Sequence, residues 1–220
     1  MTAGQVLGVD GCRGSWVAIR MAGDPRSAHC LGWSLGRFAD LMDRGDEVVA
    51  VDIPVGLVQR GRRACDLAGR VALGAAAPRL FLVPPLVALQ AHDLAAANAV
   101  LRERGEPGIS AQTFALRTAI AEVQAHAADP RVAEVHPELS FVAASGRVPA
   151  PKRTAVGVAE RVTALAAWTD VVGALAAAPA GVPVDDALDA LAAAWSAVRI
   201  SAGASVSYPK GASARPLIRA

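Results

Sequence analysis

Two short apolar runs separated by a glycine-containing bend open the chain. Val6 to Asp10 is closed by Gly11, and Ser15 to Arg20 begins with Trp16 and the β-branched Val17. Runs of this kind joined by a tight turn predict a β-hairpin. A third strand is expected around His29–Ser34, followed by a short helix near Gly36–Asp43. The stretch Glu47–Pro54, EVVAVDIP, has no polar alternation across Val48, Val49, Ala50, Val51 and Ile53. Such a run suits a central strand covered on both faces.

The pattern then turns helical over Arg63–Leu73, Leu89–Arg104 and Ala111–Ala127, with Gly/Pro-rich joints such as GEPGIS between them. PRLFLVPPL at 78–86 is bounded by proline and is expected to be an extended connector. A further strand at Val132–His136 runs into PELSF, where Pro137 can open a helix because its missing N–H is not needed there. Helices are also predicted over Arg153–Trp168 and Val184–Ile200, and the weakly patterned residues from Ser201 are expected to be a partly mobile tail. Three hairpin-linked strands followed by alternating helix and strand predict an α/β fold with a mixed sheet. We expect one domain over residues 1–200, with helices on both faces of the sheet, a helical insertion at about 60–130 before the last strand, and a tail over 201–220.

Composition narrows the class. Hydrophobic residues make up 53% of the 220 and aromatics only 4%, so the core is expected to be helix-rich and packed with small side chains. The Ala-rich runs at 172–182 and 187–198 are broken by Gly, Pro or charge, and the N-terminus lacks a basic start with a long apolar segment. That predicts a soluble protein. Cys12, Cys30 and Cys65 fall in no metal or disulfide spacing, which points to a reducing cytoplasm. The net charge of +2 permits a nucleic-acid partner without implying one. Neither GxxxxGK[ST] nor GxGxxG occurs, so the P-loop and dinucleotide fingerprints are excluded.

Two predicted strands end alike, VLGVD at Asp10 and VVAVD at Asp52. Each acid alone is ordinary turn chemistry. Were the strands adjacent, the acids would converge, and two close carboxylates call for a proton or a hard cation such as Mg²⁺ or Mn²⁺ between them. On the last predicted helix, Leu188, Leu191, Trp195 and Val198 form an apolar stripe. Asp185 and Asp189 lie beside its edge, with Asp186 further round. The first-turn acids Asp185 and Asp186 are favoured there by the helix dipole, an explanation that does not extend to Asp189.

Weaker candidates accompany these acids. His136 suits a proton shuttle and Glu138 a water-orienting carboxylate, against a surface His and a dipole-favoured first-turn Glu. Arg62, Arg63 and Arg70 with Asp66 fit surface pairs on a helix. Lys152 and Arg153 precede a helix capped by Thr154, where their charges could face a phosphate. Arg13 beside Asp10 could reach a phosphate or pair with an acid. Cys12 and Cys65 read as small buried fillers.

The segments VDGCRGSW, AVDIPVGL, RRACD with Arg70, FLVPP, GISAQ, EVHPELSF, PKRTAVG with Arg161, and DDALDALAAAW run in order from Val9 to Trp195. Together they resemble the RNase H-like superfamily. More closely, the chain is similar to a family catalogued as a domain of unknown function and described as a predicted RNase H-like nuclease. The resemblance implies an RNase H-like mixed sheet and metal-dependent hydrolysis of a nucleic-acid backbone. It further implies Asp10, Asp52 and Asp189, with Asp186 as a fourth, as catalytic ligands of one or two Mg²⁺ or Mn²⁺ ions. Helical spacing favours Asp185 over Asp186, and both stay open. Glu138 joins the catalytic candidates, and Arg13, Arg63 and Lys152 the substrate-binding ones. The chain departs from the family at Pro78-Arg79-Leu80, where small hydroxyl residues are commoner, and at Gln124, where Asp is common. Two other functions remain as alternatives: a non-catalytic binding module on the same fold, and a small-molecule phosphotransferase related to the actin-like sugar kinases. The chain is short for the two domains those kinases need.

Overall fold

A computed structural model describes residues 4–42 and 45–220. Strands β1 (Gln5–Cys12) and β2 (Ser15–Gly23) form the expected hairpin. Its two-residue bend places Arg13 at φ 52° and Gly14 at φ 81°, the left-handed pair that matches the twist of the flanking strands. Strand β3 (Ala28–Gly36) pairs antiparallel with β2, and α1 (Phe38–Met42) follows. The Asp43 end expected for that helix lies outside the described residues. Strand β4 (Val48–Val51) returns parallel to β1, and β5 (Val132–Glu134) is parallel to β4. The sheet order is β3-β2-β1-β4-β5, a mixed sheet with an antiparallel start and two parallel strands, as expected.

Between β4 and β5 lie α2 (Ala64–Leu73), a 3₁₀ turn at Gly74–Arg79, α3 (Leu86–Leu89), α4 (Leu94–Glu103), α5 (Ala111–Ala115) and α6 (Arg117–Gln124). Two helices expected to be continuous are therefore split. Asp93 accepts a hydrogen bond from the Ala96 N–H at 2.7 Å, so its side chain starts α4 afresh instead of continuing α3. Ser110 caps α5 in the same way through the Thr113 N–H at 3.1 Å, and Leu116 separates α5 from α6.

After β5 come α7 (Pro137–Ser145), α8 (Ala155–Ala166), α9 (Val171–Ala176) and α10 (Val184–Ser201). Helix α9 is an addition to the expected elements, begun by the Asp170 carboxylate on the Gly173 N–H. The segment beyond Ser201 is tied down. Its strands β6 (Ser207–Tyr208) and β7 (Ile218–Arg219) pair, Val135 bridges to Arg219, and Ile218 and Ala220 are buried. Strands of two residues are too short to leave a periodic pattern in the sequence. Among the described residues no helix is long and apolar enough to cross a membrane.

Strand alternation divides the core. Val6 and Cys12 of β1, with Val48 and Ala50 of β4, face α10, while Leu7, Val9, Val49 and Val51 face Phe38, Ile120 and Val123 on the opposite side. Helix α10 is buried from Ala187 to Val198, and its alanines let it press against the sheet. The approach is closest at Gly8, where a Cβ would lie 2.2 Å from both the Ala190 carbonyl and the Ala194 nitrogen. No larger residue fits there without moving the helix.

Candidate metal centre

Asp10 follows Val9 in β1, and Asp52 follows Val51 at the end of β4. Val9 and Val51 are register partners, and the Asp52 N–H donates to the Val9 carbonyl at 3.1 Å. The two acids thus leave neighbouring parallel strands side by side. Alternation turns both toward α10, because Gly8 and Ala50, two residues earlier, face that helix. Asp189 directly precedes Ala190, whose carbonyl covers Gly8, so the same close packing brings the third carboxylate over the other two. Asp10 and Asp189 are buried at 8% and 5% exposure, and Asp52 is partly open.

The charges crowd one another. Burial holds the Asp10 carboxyl well above the usual range, and the charges of Asp52 and Asp189 add to it. Asp52 is pushed up to about 7 by burial, with Lys152 opposing and Glu138 adding. Burial likewise raises Asp189 to about 6, with Lys152 opposing and Asp52 adding. No hydrogen bond from a described residue satisfies Asp10 or Asp52. One ammonium answers the cluster: Lys152 Nζ lies 2.6 Å from Asp189 Oδ2 and 3.7 Å from Asp185. Burial disfavours its charge, yet Asp189, Asp10 and Asp185 together raise its pKa.

Asp185 and Asp186 flank this centre on different sides. Asp185 faces Lys152 and Arg153, while Asp186 accepts from the Cys12 thiol and adds its charge to that felt by Asp10. The Cys12 thiol, raised to about 11 by burial and by Asp186, stays protonated as that donor.

Other sequence candidates fall into different roles. Glu138 is buried between two arginines, accepting from Arg79 Nη1 at 2.9 Å and from Arg161 Nη2. The same guanidinium groups donate to the Pro149 and Ala150 carbonyls, each at 2.8 Å. Glu138 therefore anchors the loop that carries Lys152. His136 is half-buried and lines the cavity beside the centre, burial lowers its pKa, and its Nδ1 lacks a partner among the described residues. Arg13 stands exposed at the hairpin bend and acts on Asp186 through its charge.

Arg63 requires a correction. It is 1% exposed, with its fork gripping Asp66 and the Glu134 carboxylate at 2.6 and 2.8 Å. Asp66 and Glu134 also accept from the Val83 and Val55 N–H groups at 2.9 and 2.7 Å. A planar cation closes this buried network, so Arg63 is withdrawn from solvent and its charge is already taken up by two acids, and its pair with Asp66 is not a surface feature. Among the described residues, the one trio offering ligand atoms within 4.8 Å of one another is Cys65, Asp66 and Glu134. Arg63 already neutralises that trio. The aspartates of the centre are spread more widely, with Lys152 beside them. Their hard oxygens, those of Asp10 and Asp52 without a hydrogen bond from a described residue, have the chemistry that Mg²⁺ or Mn²⁺ requires.

A cavity of ≈ 460 Å³ opens beside the centre, lined by Asp52, Asp189 and Glu138 together with Arg79, Lys152 and Arg153. Sequence reasoning left Arg79 and Arg161 without a role. Arg161 carried a signal, since it interrupts the apolar stripe of Val158, Val162 and Leu165 on α8. Arg79 carried none beyond its departure from the family pattern. Gln124, the other departure, accepts from the Gly56 N–H at 3.1 Å and does not line this cavity.

Among solved structures, Thermus thermophilus RuvC in complex with a Holliday junction substrate is 15% identical, with 91% of this chain and 97% of that one covered and a TM-score of 0.42. A second Thermus thermophilus RuvC structure is 16% identical over the same shares, with a TM-score of 0.38. No curated protein matches the chain. A family model matches residues 8–214, and the chain belongs to that family, described as a protein of unknown function, DUF429.

Proposed function

We propose that this protein is a divalent-metal-dependent nuclease that hydrolyses phosphodiester bonds. The observation that carries this reading is the convergence of Asp10, Asp52 and Asp189 on one face of the sheet, with a single ammonium to balance them. Asp10, Asp52 and Asp189, with Asp186 at the margin, would hold Mg²⁺ or Mn²⁺. Such an ion, when bound, activates water and polarises a phosphoryl oxygen.

The chain's own groups supply the rest. Arg79, Lys152 and Arg153 line the cavity with positive charge suited to backbone phosphates. Glu138, fixed by Arg79 and Arg161, holds the loop of Lys152 in place as a positioning residue.

The test is incubation with single-stranded, duplex, hybrid and branched DNA and RNA, with Mg²⁺, Mn²⁺ or chelator. Cleavage should need metal and disappear in Asp10→Asn and Asp189→Asn. Equal activity in the wild type and both variants would sink the nuclease reading. The Lys152–Asp189 pair favours a second reading, because it lets the acids persist without metal: a binding module on the same fold. Metal-independent nucleic-acid binding without cleavage would select it.

A further inference from the structure

Of the 22 basic residues in the chain, only Lys152 and Lys210 are lysines. One of the two stands in the carboxylate cluster. The buried arginines are pinned by several partners: Arg63 holds two acids, and Arg161 holds Glu138 and two carbonyls, while the half-buried Arg20 grips both oxygens of Asp46. Lys152 has one hydrogen bond, to Asp189 at 2.6 Å, and its side chain is 38% exposed along the cavity. A guanidinium would lock onto the acids as a rigid fork, whereas an ammonium on a flexible stem is a point charge that can exchange.

We propose that Lys152 is a built-in counter-cation, which neutralises the carboxylate cluster while no metal is bound and leaves Asp189 for the cavity when a divalent ion enters. This rests on the metal-site reading above. It links two events at one residue. The ion gains Asp189, and the cavity beside Arg79 and Arg153 gains a free ammonium for phosphate. Metal and anionic substrate then favour each other's binding, as linkage requires.

The test uses the wild-type chain labelled with ¹³C-lysine, whose two side-chain signals are assigned with Lys210→Arg. On titration with Mg²⁺, the Lys152 signal should move in step with occupancy measured by calorimetry, while Lys210 stays still. Lys152→Met should bind Mg²⁺ at least about tenfold more tightly, because the competing charge is gone. Lys152→Arg should bind it more weakly. Calorimetric Mg²⁺ binding with a stationary Lys152 signal and unchanged affinity in Lys152→Met would overturn the displacement and leave the metal centre standing. Absence of Mg²⁺ and Mn²⁺ binding in the wild type and in Lys152→Met alike would overturn both.

Discussion

Neutralising a cluster acid should stabilise the metal-free protein. Asp52 is the clearest case, since no hydrogen bond from a described residue would be lost on its replacement by Asn. Its pKa stands at about 7 in the folded chain against 3.8 for an ordinary aspartate. A folded-state value above the unfolded one means that folding favours the proton, so this stability is complete below about pH 4 and is lost as pH rises through about 7. Three units at ~1.4 kcal/mol each set a ceiling of about 4 kcal/mol. Asp52 is partly open to the cavity and shares its strain with Asp10 and Asp189, which reduces the expected effect to about 1–2 kcal/mol. For a domain of this size that is a rise of about 3–6 °C in Tm for Asp52→Asn. Thermal melts in chelator at pH 8 should show the rise, and at pH 5 it should shrink as the wild type takes up its protons. Added Mg²⁺ should raise the Tm of the wild type more than that of the variant. A variant that melts at or below the wild type at pH 8 in chelator would refute the reasoning.

Gly8→Ala should cost at least about 2 kcal/mol and weaken metal binding, because the new methyl meets the α10 backbone that carries Asp189; chemical denaturation and calorimetry report the two effects. Arg63→Met should destabilise by about 3–5 kcal/mol, leaving Asp66 and Glu134 unpaired, while the folded fraction keeps its nucleic-acid affinity in a binding assay. Glu138→Gln should speed amide hydrogen exchange in residues 149–153, since two charge-assisted holds on that loop are weakened. Mn²⁺ affinity should climb from pH 5.5 to pH 8 as Asp189 and Asp52, at about 6 and 7, lose their protons.

The strands and the acids at their ends were legible because a short apolar run closed by Asp is a local pattern. Their meeting depended on which strands are neighbours, a long-range property that Val9 and Val51 settle only when paired. The last helix announced its apolar stripe, yet Gly8 on a distant strand decides how near Asp189 comes. The helix break at Asp93 was missed because a capping oxygen competes with helix continuation without disturbing hydrophobic spacing, and the break at Leu116 was missed because no capping side chain marks it. Arg63 was misread because i, i+3 ion pairs look alike in sequence whether exposed or buried, and its second partner, Glu134, is 71 residues away. Glu138 was identified as a site residue while its two arginine partners were not, so its positioning role became visible only with Arg79 and Arg161 in place.

The central claim is that Asp10, Asp52 and Asp189 form one divalent-metal site. Calorimetric titration of Mn²⁺ into the wild-type protein and Asp10→Asn at pH 8 tests it most directly. Saturable binding to the wild type, lost or at least about tenfold weaker in a folded Asp10→Asn, is the predicted result. Equal Mn²⁺ affinity in the two proteins, or none in the wild type, would contradict it.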